Sequence, residues 1–171
     1  DNSQQFTANY TKKFDDKGHE LIIEFQYETS TEDESDYAEN TQTFDQESFT
    51  LENQKRSLLQ IDYVWPIDEN TQFELGYRGN LSEQETDYQV YDFLTAGRSQ
   101  NTDLTNFLGF TQNVHAAYTQ FGKKVGKLSY LAGLRMEKTH IEIDQRTSNE
   151  YNEKDYTDWF PTLNLSYEFS E

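Results

Sequence analysis

The chain has no cysteine, which excludes a disulfide framework, an iron–sulfur centre and a thiolate zinc site. Proline is almost as scarce, with two, and the eight glycines are too few for a low-complexity linker. Basic residues are outnumbered: 14 Lys and Arg stand against 32 Asp and Glu in 171 residues, a formal net charge of −18. That balance argues against a nucleic-acid binder, because phosphate recognition needs a basic footprint. No apolar run approaches the ~18–20 residues of a membrane-crossing helix. The polar start Asp1–Gln5 carries no signal-peptide pattern. Neither absence speaks against an outer-membrane β-barrel, whose strands are short, alternate and barely register in a hydropathy average.

A mean hydropathy of −1.01 would by itself suit a disordered chain. The aromatics argue otherwise: 12 Tyr, 12 Phe and 2 Trp make 15 % of the residues, far more than a solvated coil carries. The length suits one domain or a piece of one.

The decisive pattern has period two. Leu21, Ile23, Phe25 and Tyr27 alternate with Ile22, Glu24 and Gln26, as in a strand with one apolar and one polar face. The same alternation recurs over Phe6–Tyr10, Leu59–Trp65, Phe73–Tyr77, Val114–Tyr118, Leu128–Met136 and Leu163–Phe169. Seven strands are therefore expected. Tight turns are expected at Asp15–Gly18, Pro66–Asn70 and Gly122–Gly126. Long connections are expected at residues 28–55, 79–109 and 138–158. Short turns alternating with long connections are the layout of a transmembrane barrel. A soluble barrel rarely makes every second loop so long.

The pattern also predicts registers. Around Glu69, Trp65 should face Phe73, Tyr63 should face Leu75 and Ile61 should face Tyr77. Around Lys124, Tyr118 should face Tyr130, Ala116 should face Ala132 and Val114 should face Leu134. Residues 30–54 should be the most irregular stretch, because the 28–55 connection holds nine acids. Any order there should come from Tyr37, Phe44, Phe49 and Leu51 docking on neighbouring strands.

Alternation alone does not say which face is inside. Aromatics near strand ends (Phe14, Tyr27, Trp65, Phe73, Trp159, Phe160, Phe169) suit the girdles of a membrane interface. Charge is asymmetric as well, with acids in the first long connection and Lys12, Lys13, Lys17, Lys123, Lys124 and Lys127 on the short-turn side. The lipid-facing candidates are Leu21, Ile23, Phe25, Ile61, Tyr63, Leu75, Tyr130, Leu134, Leu163, Leu165 and Tyr167. The lumen-facing candidates are Asp62, Glu74, Arg78, Arg135 and Glu137, arranged as a charge ladder between strands.

Several runs occur in a telling order: Leu59-Gln60-Ile61-Asp62-Tyr63-Val64-Trp65-Pro66-Ile67, then Phe73-Glu74-Leu75-Gly76-Tyr77 and Ala116-Ala117-Tyr118. Leu131-Ala132-Gly133-Leu134-Arg135-Met136-Glu137-Lys138-Thr139 follows, and then Trp159-Phe160-Pro161-Thr162-Leu163-Asn164-Leu165-Ser166-Tyr167. This set resembles the barrel part of TonB-dependent receptors of the Bacteroidetes kind, over most of residues 56–169 and more loosely at the Lys12–Leu21 hairpin. The resemblance implies an all-β antiparallel meander of about seven strands, a section of a transmembrane outer-membrane β-barrel. Residues 1–171 would be a single barrel segment with no plug domain. Its partners would be outer-membrane lipid, the remaining strands and plug of a parent receptor, and TonB through that parent only. No nucleic acid is expected. Nutrient uptake would belong to the parent, and the segment would have no complete activity of its own. Seven strands give an open sheet whose edges, Phe6–Tyr10 and Leu163–Phe169, lack partners within the chain.

Other chemistry is thinly represented. His19, His115 and His140 are isolated in sequence and read as loop or lumen residues, not metal ligands. Glu32-Asp33-Glu34-Ser35-Asp36 offers carboxylates for Ca²⁺ but lacks the glycine and spacing of an EF-hand, and reads as a solvated acidic loop. No nucleophile elbow, P-loop or dinucleotide fingerprint occurs. No enzyme activity, metal or cofactor is expected. Two other readings share the alternation: a small autonomous outer-membrane barrel, and a soluble β-sheet module binding a ligand such as a carbohydrate.

Overall fold

The computed structural model describes residues 1–39 and 45–169. Among these the chain forms one antiparallel sheet and no helix. Its strands are β1 (Asn2–Lys13), β2 (Glu20–Ala38), β3 (Asp45–Asp68), β4 (Thr71–Leu94), β5 (Gly97–Gln100), β6 (Asn106–Val125), β7 (Leu128–Gln145) and β8 (Glu150–Tyr167). The seven long strands lie in the order β1-β2-β3-β4-β6-β7-β8, and the short β5 folds back on the end of β4. β1 and β8 do not pair, and every residue in both is exposed. The seven-strand open meander expected from the alternation is present. β5 is the element the pattern missed.

The sheet has almost no core. Among the described residues only Thr71, Gly76, Gly79, Val90, Ala116 and Thr139 are buried. The accessible surface is 12144 Å², against about 8,800 Å² for a soluble folded monomer of this mass. The excess arises because neither face of the sheet is covered. The two faces differ in chemistry. One register row carries Tyr10, Ile23, Ile61, Tyr77, Ala117, Met136 and Trp159 side by side. The adjacent row, pointing to the other face, carries Thr11, Ile22, Asp62, Gly76, Tyr118, Arg135 and Phe160.

Three tight turns close one end. Asp15 accepts the backbone N–H groups of Lys17 (2.9 Å) and His19 (3.1 Å), and Gly18 takes φ 91°. Asp68 accepts the Asn70 N–H at 2.8 Å, next to a bulge at Pro66/Asp68. Gly126, at φ 62°, and Lys127 join Val125 to Leu128. Positive φ at the first residue of a two-residue hairpin matches the twist of the flanking strands.

The β3–β4 register is the expected one, with Trp65 opposite Phe73, Tyr63 opposite Leu75 and Ile61 opposite Tyr77. The β6–β7 register is not. Tyr118 faces Arg135, Ala116 faces Glu137 and Val114 faces Thr139, an odd shift that moves Val114, Ala116 and Tyr118 to the polar face. The turn sits at Gly126-Lys127, not Lys124. The apolar side of β6 is Ala117, Thr119 and Phe121 instead. Both faces of β6 carry some apolar residues, so periodicity did not discriminate between them.

The expected long connections are mostly strand. Glu28–Ala38 pairs with Gln46–Arg56, β3 pairs with β4 as far as Phe93, and β7 pairs with β8 as far as Gln145 and Glu150. β3 and β4 each run 24 residues, roughly 80 Å at about 3.3 Å per residue, where a bilayer needs only ~9–11 residues. These segments look like loops because they lack an apolar stripe. Their order comes from backbone pairing, on both sides for most of β3 and β4 and on one side for Glu32–Ala38 and β8.

Residues 30–38 and 45–54 are accordingly strand, contrary to expectation, and residues 40–44 of that stretch lie outside the described residues. Tyr37 packs edge-on against Phe93 (5.9 Å between centroids), and Phe49 against Tyr91 (6.0 Å). Arg98 lies 3.8 Å above the Tyr91 ring and bridges to Glu47 at 2.9 Å. Leu51 stays 40 % exposed, and Phe44 lies outside the described residues. Between β5 and β6, Asn101 accepts the N–H groups of Asp103 and Leu104, and Thr105 Oγ1 accepts the N–H of buried Val90. That compact turn leads directly into β6.

Candidate functional site

Asp62, Glu74, Arg78, Arg135 and Glu137 all fall on the polar face, in neighbouring rows. They do not form one continuous charge ladder. Arg135 binds Glu137 two residues along its own strand, with Nη2 at 2.7 Å and Nε at 3.2 Å from Oε2. Glu74 accepts the side-chain amides of Gln72 and Gln120. Asp62 accepts the Gln60 amide at 2.7 Å and the Tyr118 hydroxyl at 2.6 Å. Arg78 has no ion-pair partner among the described residues. It lies with Arg56, Gln26, Glu28 and Asn80 along an open cleft of about 320 Å³.

Tyr118 is, with Val114 and Ala116, a member of this face that the alternation misplaced. Its hydroxyl spans β4 to reach β3, and it can do so because Gly76 lies between Asp62 and Tyr118 in the register. A Cβ on Gly76 would sit 2.1 Å from Tyr118 Cε1. The glycine therefore makes room for the ring. Neutral amides and a hydroxyl thus satisfy Asp62 and Glu74 without a cation, and the face stays polar and wet.

The opposite face gathers Leu21, Ile23, Phe25, Ile61, Tyr63, Leu75, Tyr130, Leu134, Leu163, Leu165 and Tyr167. Several are strongly exposed, with Leu163 at 67 % and Leu165 at 66 %. Toward the short-turn end, His19 Nε2 lies 2.8 Å from Tyr63 Oη, and its ring contacts Phe14 and Trp65. Tyr27, Trp65, Phe73 and Trp159 lie on the apolar face, whereas Phe160 lies on the polar one, opposite Arg135. The apolar band crosses the rows obliquely. On β2 it reaches Tyr27, which shares a row with His140 and Asp155. On β8 it stops at Trp159, four residues below Asp155. Strands tilted to the barrel axis produce this drift.

His115 hydrogen-bonds Tyr77 at 2.7 Å. His140, expected to stand alone, is drawn into an acidic group beyond the apolar band. It faces Asp155 across β7–β8, and Glu142 faces Glu153 two residues on. Its Nε2 lies 2.8 Å from Glu142, and its Nδ1 lies 3.1 Å from Asp155 and 3.8 Å from Glu153. The Glu142 hydrogen bond, then the Asp155 one, raises its pKa above the ordinary 6.5. The sequence signal was His140-x-Glu142 facing Glu153-x-Asp155, invisible while 138–158 was read as a loop. Glu32–Asp36 instead alternate between the two faces of β2, so their carboxylates do not converge as they do around a Ca²⁺ loop.

A family model described as the outer membrane protein beta-barrel family matches residues 12–171. No curated protein matches the sequence. Among solved structures, the crystal structure of the ferric citrate transporter FecA in the unliganded form superposes with a TM-score of 0.66 at 16 % identity. The superposition covers 99 % of this chain and 25 % of the transporter chain. The chain thus spans about a quarter of that protein's length, and the likeness is one of fold. A two-faced antiparallel wall without a core, matched over nearly its whole length, places the chain in the outer membrane as a member of the outer-membrane β-barrel protein family.

Proposed function

We propose that this chain is a section of the barrel wall of a TonB-dependent outer-membrane receptor of the Bacteroidetes kind, serving nutrient uptake in the parent and completing no transport cycle alone. The observation that carries this reading is the pair of bare edges. β1 and β8 are wholly exposed strands with no partner on their outer side among the described residues. Open edges of that length are a pairing liability, and further strands of the parent would cover both. The apolar face would meet outer-membrane lipid. The polar face, with Asp62, Glu74, Arg78, Arg135 and Glu137, would line the lumen and meet water, the plug or passing solute. The short turns would be periplasmic, and the long hairpins would stand outside the cell. TonB would act through the parent only.

Cysteine cross-linking tests the open wall. Single cysteines at Ala8 in β1 and Leu165 in β8 are introduced into the otherwise cysteine-free chain, which is then folded into lipid vesicles and oxidised. No intramolecular cross-link is expected. An efficient one would mean that the sheet closes on itself, and a small autonomous barrel would replace the proposal.

A further inference from the structure

We propose that His140, Glu153 and Asp155 form a site for a first-row divalent metal ion of the Zn²⁺ class on the β7–β8 hairpin, with Glu142 orienting the histidine. The ligand atoms of these three residues lie within 4.8 Å of one another, so a small inward movement brings them to the ~2.0–2.2 Å bond lengths of such an ion. The arrangement comes from the backbone: His140 opposes Asp155 directly, and alternation puts Glu142 and Glu153 on the same face.

The imidazole is the informative group. Its Nε2 lies 2.8 Å from Glu142 Oε1, the hydrogen bond by which a metal-ligating histidine is usually oriented and made more basic. With that proton on Nε2, Nδ1 presents a lone pair toward two carboxylate oxygens, at 3.1 and 3.8 Å. That contact needs a positive centre between the two groups, either a proton on Nδ1, as in the hydrogen bond to Asp155, or a metal ion. Among the described residues no lysine or arginine pairs with Glu142, Glu153 or Asp155. Lys154 alternates to the other face, and Arg146 is engaged by Asp144 and Glu85. Three carboxylates around one imidazole leave an excess negative charge that a dication neutralises better than a proton does. One nitrogen and two oxygens suit a borderline ion over a hard one such as Ca²⁺ or Mg²⁺. Glu153 and Asp155 are about half exposed, so water fills the remaining positions. An ion here ties the edge strand β8 to β7 beyond the apolar band, whatever solute the barrel carries.

The test is calorimetric titration of ZnCl₂ into chelator-stripped full-length protein in detergent, with circular dichroism as the fold control. One Zn²⁺ per chain is expected. H140A should abolish binding, and E153Q and D155N should each weaken it at least tenfold. E142Q should weaken it by about 10–100-fold while leaving the stoichiometry intact. Co²⁺ in place of Zn²⁺ should give visible ligand-field bands that H140A removes. No binding at millimolar Zn²⁺ would overturn the proposal. So would binding that survives H140A, or Ca²⁺ competing equally, either of which marks a diffuse acidic surface.

Discussion

Replacing Gly76 with alanine puts a methyl carbon where the Tyr118 ring now lies. The added Cβ would be 2.1 Å from Cε1, 2.4 Å from Cζ and 2.7 Å from the hydroxyl oxygen, whereas carbon atoms pack at about 3.5–4.0 Å. The ring must therefore retreat by roughly 1.4 Å or more to restore ordinary contact. That movement carries the hydroxyl from 2.6 Å to about 4 Å from Asp62 Oδ1, beyond hydrogen-bond range. A bond to a charged acceptor contributes about 1.5–3 kcal/mol, and Gly76→Ala should lower unfolding free energy by about 2–3 kcal/mol. The assay is urea unfolding of the vesicle-inserted protein, followed by tryptophan fluorescence, for G76A, Y118F, Y118A and the double variants. In the Y118A background the alanine at position 76 should cost well under 1 kcal/mol, because nothing remains to displace. Equal costs of G76A with and without the Tyr118 ring would refute the reasoning.

On the polarity of the two faces, Leu75→Arg should cost about 2–4 kcal/mol in a bilayer, and Asn80→Arg within about 0.5 kcal/mol; equal costs would misplace the lipid. A Thr119/Leu134 cysteine pair should cross-link on oxidation, whereas a Val114/Leu134 pair should not, because these positions face opposite sides; the reverse result would restore the register expected from the alternation. The N–H groups of Lys17 and then His19 hold the Asp15 carboxyl below its ordinary 3.8. Its stabilisation is therefore present above that value and fades as pH falls through the lowered one. The stability difference between wild type and Asp15→Asn should be constant near neutrality and shrink below about pH 4; a gap unchanged from pH 7 to pH 3 would show that the carboxylate contributes nothing to this turn.

The apolar band of the wall was legible because a strand with one apolar face follows a strict rule. Every second residue of Leu21–Tyr27 or Leu59–Trp65 must be apolar, and the β3–β4 register follows from matching those residues across Glu69-Asn70. Where the rule lapses, sequence reasoning weakened. β6 carries Val114, Ala116 and Tyr118 on one side and Ala117 and Phe121 on the other, so the turn glycine at 126, not hydropathy, decides which side is which. Above the band no side-chain rule applies. Thr29–Ala38 and Gln46–Lys55 are strands because their backbones pair, and polar side chains leave no trace of that. The same gap hid the His140 group, whose members come together only once β7 and β8 are known to run in register past Trp159. The five polar-face charges were recoverable as residues sharing a side, but not as bonded partners, since the amides and the phenol that satisfy them have no distinctive spacing.

The unbroken pairing of β3 with β4, from Phe93 down to the bulge at Pro66/Asp68, has a mechanical consequence. A ribbon that keeps its ladder for this length, joined on both flanks, has no hinge along its shaft, and its first irregularity lies at its foot. Anything that presses on the tips near Tyr37, Phe93 and Arg98 is conveyed as a lever stroke to the short-turn rim, where Pro66 and Lys124 sit. The ladder is continuous along the strands and first interrupted at the base, so a load on the long tips would be carried to that base.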